Sequence, residues 1–348
     1  MSDRIRVLLA DDSAFARKVV REVLQAEGLE VVGSARDGAE ALEMTSSLAP
    51  DIVITDLQMP RLGGVEFVRA QMAIRPLPIL ILSSAPQDAP EVLDALNAGA
   101  IDVVGKPTAL ATDELREVRA ALAGRIREML AAPAMNYAAL RESNAPARSR
   151  PVASPVRETQ VDVVVLGIST GGPQALRRIL PLFPRDLAVP LAIVLHMPVG
   201  YTFHYAEKLN ESCALDVKEA AEGDVLRPGL ALIAQAGRHL RLMRRADGRL
   251  VAHLSVNPVE HLHRPAVDVL FRSAAEACGG RVLGVVMTGM GEDGKEGAAW
   301  IKAQGGTVLT EAEESCVIYG MPRAVAEAGL SDAQVPLEQM ALSIISHL

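Results

Sequence analysis

Three side chains in the second half of this 348-residue chain are of the types that nucleophilic catalysis requires. Ser169, His196 and Asp293 each follow a short apolar run, and glycines surround two of them. A serine hydroxyl becomes a nucleophile when a base takes its proton, an acid orients that base and hydrogen-bond donors hold the oxyanion. We therefore predict that Ser169 attacks a carbonyl group, with His196 as the base and Asp293 as the acid. The backbone N–H of Met290, in the glycine-rich loop before Asp293, is the expected oxyanion donor.

The glycines at 167, 171 and 172 also allow a phosphate-binding turn at the start of a helix. No Lys-Ser or Lys-Thr pair follows them and the G-x-G-x-x-G spacing is absent, so a P-loop is excluded and dinucleotide binding is disfavoured. The chain order Ser, His, Asp also differs from the Ser, Asp, His order of α/β-hydrolases. Simpler interpretations stay open for each residue alone: Ser169 and Asp293 could cap helices, and His196 could be a buried histidine bonded to a backbone carbonyl.

A second group of reactive side chains ends the apolar runs of the first half. It comprises Asp11, Asp12, Asp56, Ser83 and Lys106. Because the carboxyl ends of parallel strands meet at one edge of a sheet, we expect this group to converge. Carboxylates placed together repel each other unless a cation joins them, and a hard ion such as Mg²⁺ prefers these oxygens. One carboxylate could then attack a phosphoryl donor, with Lys106 and Ser83 stabilising the transferred group. Helix capping is the simpler alternative for any single one of these acids.

The positions of both groups depend on alternating strands and helices. In the first half, short apolar runs predict strands at Ile5–Ala10, Val31–Ala35, Ile52–Asp56, Ile79–Ser83 and Ile101–Val104. Amphipathic stretches predict helices at Phe15–Ala26, Ala39–Leu48, Gly64–Ile74, Pro90–Ala98 and Thr112–Leu130. Apolar strands that alternate with helices of this length indicate a parallel sheet covered on both faces.

The second half repeats this alternation. Strands are predicted at Val161–Ile168, Leu191–Leu195, Leu230–Ala234, Arg281–Met287 and Thr307–Thr310, and helices begin near Gly172, Thr202, Val267 and Gly294. Asp247-Gly248 predicts a hairpin within Leu240–Leu254. Since the chain is too long for one ordinary core, we predict an α/β protein with two doubly wound parallel-sheet domains, 1–125 and 159–348. A linker rich in Pro, Ala, Ser and Arg joins them at 126–158.

Composition restricts the partners. The formal net charge of −8 and an aromatic content of 3% argue against nucleic acid. The 3 cysteines are scattered and include no C-x-x-C pair, so neither a zinc site nor a disulfide framework is indicated. The first residues lack the apolar core of a signal peptide, and the apolar runs are far too short for membrane insertion. We therefore expect a cytoplasmic protein.

The reactive residues of the first half stand in a specific motif set: Asp11-Asp12, Asp56 with Gln58-Met59-Pro60, Ser83 and Lys106-Pro107. This set resembles the receiver domain of bacterial response regulators. It covers residues 1 to about 125 and implies a flavodoxin-like fold, Asp56 as the phosphoryl acceptor and a histidine kinase as the donor. It also implies Mg²⁺ held by Asp11, Asp12 and Asp56. Gly63-Gly64 departs from the Asp-Gly that such domains more often carry.

Six segments of the second half carry a second resemblance: GISTGGP, LHMPVGYTFHYAEKLN, EGDVLRPG, RPAVDVLFRS, VVMTGMGEDGKEGA and SCVIYGMPRAV. Together they resemble the catalytic domain of the protein-glutamate methylesterases of bacterial chemotaxis. This resemblance runs from about residue 160 to the end of the chain and implies a Rossmann-like fold. It implies that Ser169, His196 and Asp293 are the catalytic triad, that Thr170 and Met290 are supporting groups, and that the esterase site uses no cofactor.

Two departures from the methylesterase pattern lie in this half. Gln235-Ala236-Gly237 stands where the family usually has a turn of the Pro-Gly-Gly type. His261 and His263 precede Arg264-Pro265, and a His-x-His pair on a strand could bind a metal. No third ligand is evident nearby, so a metal site here is disfavoured.

Together the two resemblances imply a phosphorylation-regulated esterase. We expect it to hydrolyse glutamate γ-methyl esters on methyl-accepting chemotaxis receptors, to release methanol, and to deamidate receptor glutamines at the same site. The unphosphorylated receiver domain is expected to cover the active-site cleft until a chemotaxis histidine kinase phosphorylates Asp56. Two other classes stay open: a response regulator with a DNA-binding output, and a non-catalytic scaffold that binds receptors.

Overall fold

A computed structural model describes residues 4–83, 89–106, 122, 126, 160–261 and 263–348. The chain divides into two units, Met1–Asn144 and Ala145–Leu348, which we call the N-terminal and the C-terminal unit. The predicted helix at 112–130 and the predicted linker at 126–158 lie outside the described residues, apart from Leu122 and Ile126, which are helical and buried. Within the described parts of the chain, no helix combines the length and apolar character needed to cross a membrane.

The N-terminal unit contains a five-stranded parallel sheet with the order β2-β1-β3-β4-β5. Its strands are β1 (Arg6–Ala10), β2 (Glu30–Ala35), β3 (Ile52–Asp56), β4 (Ile79–Ser83) and β5 (Asp102–Gly105). Its described helices are α1 (Ala14–Ala26), α2 (Gly38–Leu48), α3 (Gly64–Ile74) and α4 (Ala89–Ala98). This strand order is that of the flavodoxin-like doubly wound fold, as the sequence predicts.

The ends of these strands hold the first group of reactive side chains. β3 and β4 are buried along their whole length, because helices cover both faces of the sheet. The Ser13 hydroxyl accepts the Ala16 N–H at 3.2 Å and caps α1. The helix therefore begins directly after Asp11 and Asp12, which stay at the carboxyl edge of the sheet.

The C-terminal unit contains a seven-stranded parallel sheet with the order β14-β13-β12-β6-β7-β9-β8 and a separate antiparallel hairpin, β10-β11. The strands are β6 (Val163–Ile168), β7 (Leu191–Leu195), β8 (Asp216–Glu219), β9 (Leu230–Ile233), β10 (His239–Arg244), β11 (Leu250–Ser255), β12 (Val282–Val286), β13 (Thr307–Glu311) and β14 (Ala333–Val335). The helices are α5 (Gly172–Ile179), α6 (Thr202–Ser212), α7 (Val267–Cys278), α8 (Lys295–Ala303), α9 (Met321–Glu327) and α10 (Leu337–Ser346).

The elements that the sequence analysis did not predict lie at the margins of this sheet. β8 and β14 are short edge strands with one buried residue each, so no apolar run marks them. α9 packs against β12 and β13, and α10 packs against β14 and α5. The predicted hairpin and the central strands are present.

The winding of the second sheet reverses at β6. β7 lies on one side of β6, and the chain returns later to place β12 on the other side. Val163 and Val165 of β6 pack with Phe271 of α7 in the buried core. Doubly wound sheets bind ligands at the carboxyl edge of such a switch point. The loops after β6, β7 and β12 meet there.

Candidate active sites

The loops that follow β6 and β7 bring Ser169 beside His196. Ile168, the last residue of β6, pairs in register with Leu195, the last residue of β7. The His196 N–H donates to the Ile168 carbonyl at 3.2 Å. Neighbouring strands lie about 4.8 Å apart, so Ser169 and His196 leave the sheet side by side. Both residues are buried.

His196 is paired with Asp293 from the loop after β12. Ring atom Nε2 lies 2.9 Å from Oδ2 of Asp293. Nδ1 is buried and has no hydrogen-bond partner among the described residues, the Ser169 hydroxyl included. The ring is thus bonded to a carboxylate rather than to a backbone carbonyl. The structure brings the expected base and acid together and places the expected nucleophile on the adjacent strand end.

Asp293 is held by the start of α7. Its Oδ2 accepts the Val267 N–H at 2.8 Å, and its Oδ1 accepts the Asp268 N–H at 2.9 Å. The first turn of a helix offers free N–H groups and a positive dipole end, both of which favour a carboxylate. Burial opposes ionisation, but the hydrogen bond and charge of His196, together with these N–H groups, hold the pKa of Asp293 well below its usual range.

The helix-capping alternatives are resolved by the cap geometry. The N-cap of α5 is Gly171, with a positive φ of 80° and no side-chain cap bond, so Ser169 does not cap that helix. The N-cap of α8 is Gly294. Asp293 does cap a helix, but that helix is α7 and not the following one.

Glu311, which the sequence analysis did not single out, supports the turn that holds Ser169. It ends β13 and is fully buried. Its Oε2 accepts the Thr288 N–H at 2.8 Å. The Thr288 carbonyl accepts the Ser169 N–H at 3.0 Å, and the Thr288 hydroxyl donates to the Thr170 carbonyl at 3.0 Å. Burial raises the pKa of Glu311 to about 7. The sequence feature that could have identified Glu311 is a carboxylate at the end of an apolar strand, the same feature that identified Asp56.

Met290 follows a glycine that lies against the Ser169 turn. A Cβ atom on Gly289 would lie 2.8 Å from the Ser169 Cβ and 2.4 Å from the Met321 sulfur. Only glycine therefore allows this loop so close to Ser169. Within the described chain, no acceptor takes the Met290 N–H, which leaves it available to a ligand.

The two extra histidines lie in a turn, which corrects the expectation that they share a strand. His261 and His263 come after the end of β11. Pro258 and Pro265 flank them and have no backbone N–H to donate to a neighbouring strand, so the segment does not continue the sheet. The His263 ring stacks on His196 with centroids 4.2 Å apart, and His261 meets His239 edge-on at 5.8 Å. No metal-binding cluster in the described chain contains either of them.

The predicted acidic group of the N-terminal unit also converges. Nζ of Lys106 lies 2.8 Å from Asp11 and 2.6 Å from Asp56. The backbone N–H of Lys106 donates to the carbonyl of Ser83 at 2.7 Å. One oxygen each of Asp11, Asp12 and Asp56 lies within 4.8 Å of the others.

The charges at this edge suit a divalent cation. Burial, and to a lesser extent the charge of Asp11, raise the pKa of Asp56 against the opposing effect of Lys106. Burial would lower the pKa of Lys106, but the bonds to Asp11 and Asp56 raise it. The atoms that could bind a cation are all carboxylate oxygens, and two of the three acids are buried. Mg²⁺ prefers such oxygen ligands, so these residues fit this ion.

Gly64 lets α3 begin directly below Asp56. A Cβ atom here would lie 2.1 Å from the Asp56 carbonyl oxygen. Gly63 is the N-cap of α3 and offers no side-chain cap bond. The departure from Asp-Gly therefore removes a possible helix cap and leaves the acidic group unchanged.

The chain is similar to known proteins over nearly its whole length. The family model for CheB methylesterase matches residues 164–344, and the model for the response regulator receiver domain matches residues 7–118. A Myxococcus xanthus protein named protein-glutamate methylesterase/protein-glutamine glutaminase 5 is 50% identical over 99% of this chain and 98% of its own length. A Halalkalibacterium halodurans protein-glutamate methylesterase/protein-glutamine glutaminase is 40% identical over 99% of both chains.

A solved structure resembles the C-terminal unit. The Thermotoga maritima CheB methylesterase catalytic domain is 38% identical and covers 54% of this chain and 99% of its own, with a TM-score of 0.53. The α/β fold class and both resemblances stated from the sequence are confirmed, and a DNA-binding output domain finds no support. This chain belongs to the CheB methylesterase family and carries a response regulator receiver domain ahead of the methylesterase domain.

Proposed function

We propose that this chain is a protein-glutamate methylesterase whose nucleophile is Ser169. The observation that carries the proposal is the hydrogen bond between buried His196 and partly buried Asp293, at the switch point of the sheet and directly beside the Ser169 turn. The substrates are glutamate γ-methyl esters on methyl-accepting chemotaxis receptors, and the released alcohol is methanol. The names of the Myxococcus and Halalkalibacterium relatives support this substrate class.

Acylation begins when Oγ of Ser169 attacks the ester carbonyl carbon and His196 takes its proton. Because Nε2 is bonded to Asp293, Nδ1 is the nitrogen that accepts this proton. Asp293 keeps the other ring proton on Nε2 and stabilises the imidazolium that forms. The Met290 N–H donates to the oxyanion, and Thr170 supports the turn. One such donor accelerates the reaction by about 10²–10³-fold.

The imidazolium then returns its proton to the leaving methoxide, and methanol departs. A water molecule attacks the acyl-enzyme while His196 takes one of its protons. The bond to Ser169 then breaks, His196 returns the proton to Oγ of Ser169, and glutamate is left on the receptor. Attack on a glutamine side chain by the same route releases ammonia, which is the glutaminase activity in the names of the relatives. These steps use only groups of the chain itself and water.

In the receiver domain we propose Asp56 as the phosphoryl acceptor and a chemotaxis histidine kinase as the donor. Asp11, Asp12 and Asp56 would hold Mg²⁺, which supplies positive charge for the phosphoryl oxygens. Lys106, already bonded to Asp56, and the hydroxyl of Ser83 would bind the transferred group. We place these events in the cytoplasm, and the 3 free cysteines support that location.

We also propose that the unphosphorylated receiver domain inhibits the esterase. Phosphorylation adds up to about two negative charges at Asp56 and changes the contacts of its surroundings. A fragment of residues 155–348 should then release methanol faster than the unphosphorylated whole chain. Equal rates would rule out inhibition by the receiver domain.

The proposed activity is tested by methanol release from membranes that contain methylated receptors. We expect release by the wild type, faster release with a small phosphodonor, and none above background by Ser169→Ala. Receptor binding by Ser169→Ala should be unchanged. Binding without methanol release by the wild type would instead favour the non-catalytic scaffold.

A further inference from the structure

We propose that Asp268 is a positioning residue of the esterase site, which holds the Asp293 carboxylate in place for His196. This inference rests on the proposed function and extends it to a residue that does not touch the substrate. It is carried by a reciprocal set of hydrogen bonds between the first turns of α7 and α8.

The two acids cap each other's helices. Asp293 caps α7, the helix that contains Asp268, and Asp268 caps α8, the helix that follows Asp293. Asp293, just before α8, accepts the N–H groups of Val267 and Asp268 at the start of α7. Asp268, in the first turn of α7, accepts the N–H groups of Gly294 and Gly297 at the start of α8, at 2.9 and 2.6 Å. Both of these bonds use the single oxygen Oδ1 of Asp268.

The two helix starts are in direct contact, so this arrangement leaves little freedom. A Cβ atom on Gly297 would lie 2.5 Å from the Phe271 Cβ and 3.0 Å from the Asp268 Cα. The loop that carries Asp293 enters α8 at Gly294. If the Asp268 carboxyl group is removed, two N–H groups at the start of α8 lose their shared acceptor. The loop that carries Asp293 is then attached to α7 only through the bonds that Asp293 itself accepts.

Below about pH 7 the two carboxyl groups hold one negative charge between them. Burial, and then the charge of Asp293, raise the pKa of Asp268 to about 7. Asp268 borders a cavity of about 260 Å³, so solvent protons reach it. The titratable and charged side chains that line the cavity with it are Arg241 of β10, His261 of the turn after β11, Arg272 and Glu276 of α7, and Glu296 of α8.

Asparagine is the matched replacement for the protonated form of Asp268. Its amide oxygen can accept both α8 N–H groups as Oδ1 does, and its NH₂ group can donate to Asp293. We expect Asp268→Asn to keep kcat within about threefold of the wild type. Asp268→Ala should lower kcat about 10- to 100-fold with KM nearly unchanged, because a displaced catalytic group is costly. Glu296→Gln, which removes a charge from the same cavity, should leave both values unchanged.

The pH profile separates this role from a merely structural one. Above about pH 7 the wild type gains a second negative charge beside Asp293, and the two carboxylates repel each other. We therefore expect the wild-type kcat to fall above about pH 7 and that of Asp268→Asn to stay level. If Asp268→Ala does not fold, the pH profiles of the wild type and Asp268→Asn test the positioning role by themselves.

The readouts for Asp268 are methanol-release kinetics and the Cε1–H proton resonance of His196, which needs no turnover. The resonance should follow the ionisation of Asp268 in the wild type and lose that step in Asp268→Asn. Full activity of Asp268→Ala, equal losses in both Asp268 variants, or identical pH profiles would overturn the inference. A wild type that releases no methanol but shows the resonance step would refute the proposed function and leave the positioning role standing.

Discussion

The buried carboxyl group of Glu311 predicts an unusual dependence of stability on pH. Glu311 is fully buried, accepts hydrogen bonds from Thr288 and Ser315, and has no cation within ion-pair distance among the described residues. Glutamine keeps the shape: its amide oxygen accepts the Thr288 N–H and its NH₂ group donates to the Ser315 hydroxyl. Glu311→Gln therefore removes the titration and little else.

The size of the effect follows from the shift in pKa. Burial raises the pKa of Glu311 from its ordinary 4.5 to about 7. The folded chain binds this proton more tightly than the unfolded chain does. The stabilisation is therefore complete below about pH 4.5 and is lost as the pH rises through about 7. A change of one pKa unit corresponds to about 1.4 kcal/mol. The contribution of Glu311 to the free energy of unfolding therefore falls by about 2 to 3 kcal/mol between about pH 5 and pH 8.

Urea unfolding followed by tryptophan fluorescence measures this difference. Trp300 is the single tryptophan of the sequence and lies on α8. Its fluorescence therefore reports the unfolding of the C-terminal unit. At about pH 5 wild type and Glu311→Gln should have free energies of unfolding within about 1 kcal/mol. At about pH 8 the variant should be more stable by about 2 to 3 kcal/mol, or about 1 M in urea midpoint.

The control for this experiment is Glu313→Gln. Glu313 is exposed and lies in the same segment, so its loss should give no pH-dependent difference from the wild type. The reasoning is refuted if Glu311→Gln and the wild type keep the same difference in stability at both pH values. That result would mean that the buried carboxyl group does not hold its proton more tightly in the fold.

Three further predictions concern other residues. Asp56→Asn should abolish labelling by a small phosphodonor with Mg²⁺, because an amide oxygen is a poor nucleophile; labelling elsewhere on a phosphate-affinity gel would contradict the assignment. Gly64→Ala should destabilise the N-terminal unit by about 1–3 kcal/mol in urea unfolding followed by circular dichroism. Gly105→Ala, whose Cβ meets nothing within 4 Å, is its control and should cost less. Asp293→Asn should lower kcat for methanol release about 10⁴-fold, and a loss below about tenfold would argue against its role.

Much of both sites can be predicted from the sequence because the reactive side chains follow apolar strands. Asp56 and His196 each come at or just after a run that is buried along its length, and parallel strands put such residues at one edge. The order of strands around β6 then decides which ends become neighbours. The roles assigned to the residues of both sites stay predictions.

The residues that the sequence analysis missed act through tertiary contacts. Asp268 looks like an ordinary acid in the first turn of a helix, and only the close approach of α8 shows what it caps. His263 was named from the sequence, but its stacking on His196 depends on a turn that no periodicity predicts. Glu311 is different, since the strand-end rule that finds Asp56 applies to it as well.

The account depends most on the claim that Ser169 is a nucleophile activated by His196. A fluorophosphonate probe reacts covalently with such a serine, and peptide mass spectrometry locates the adduct. We predict one adduct on Ser169 in the wild type, and none in His196→Gln. An adduct at another residue, or equal labelling of Ser169 after the loss of His196, would contradict the claim.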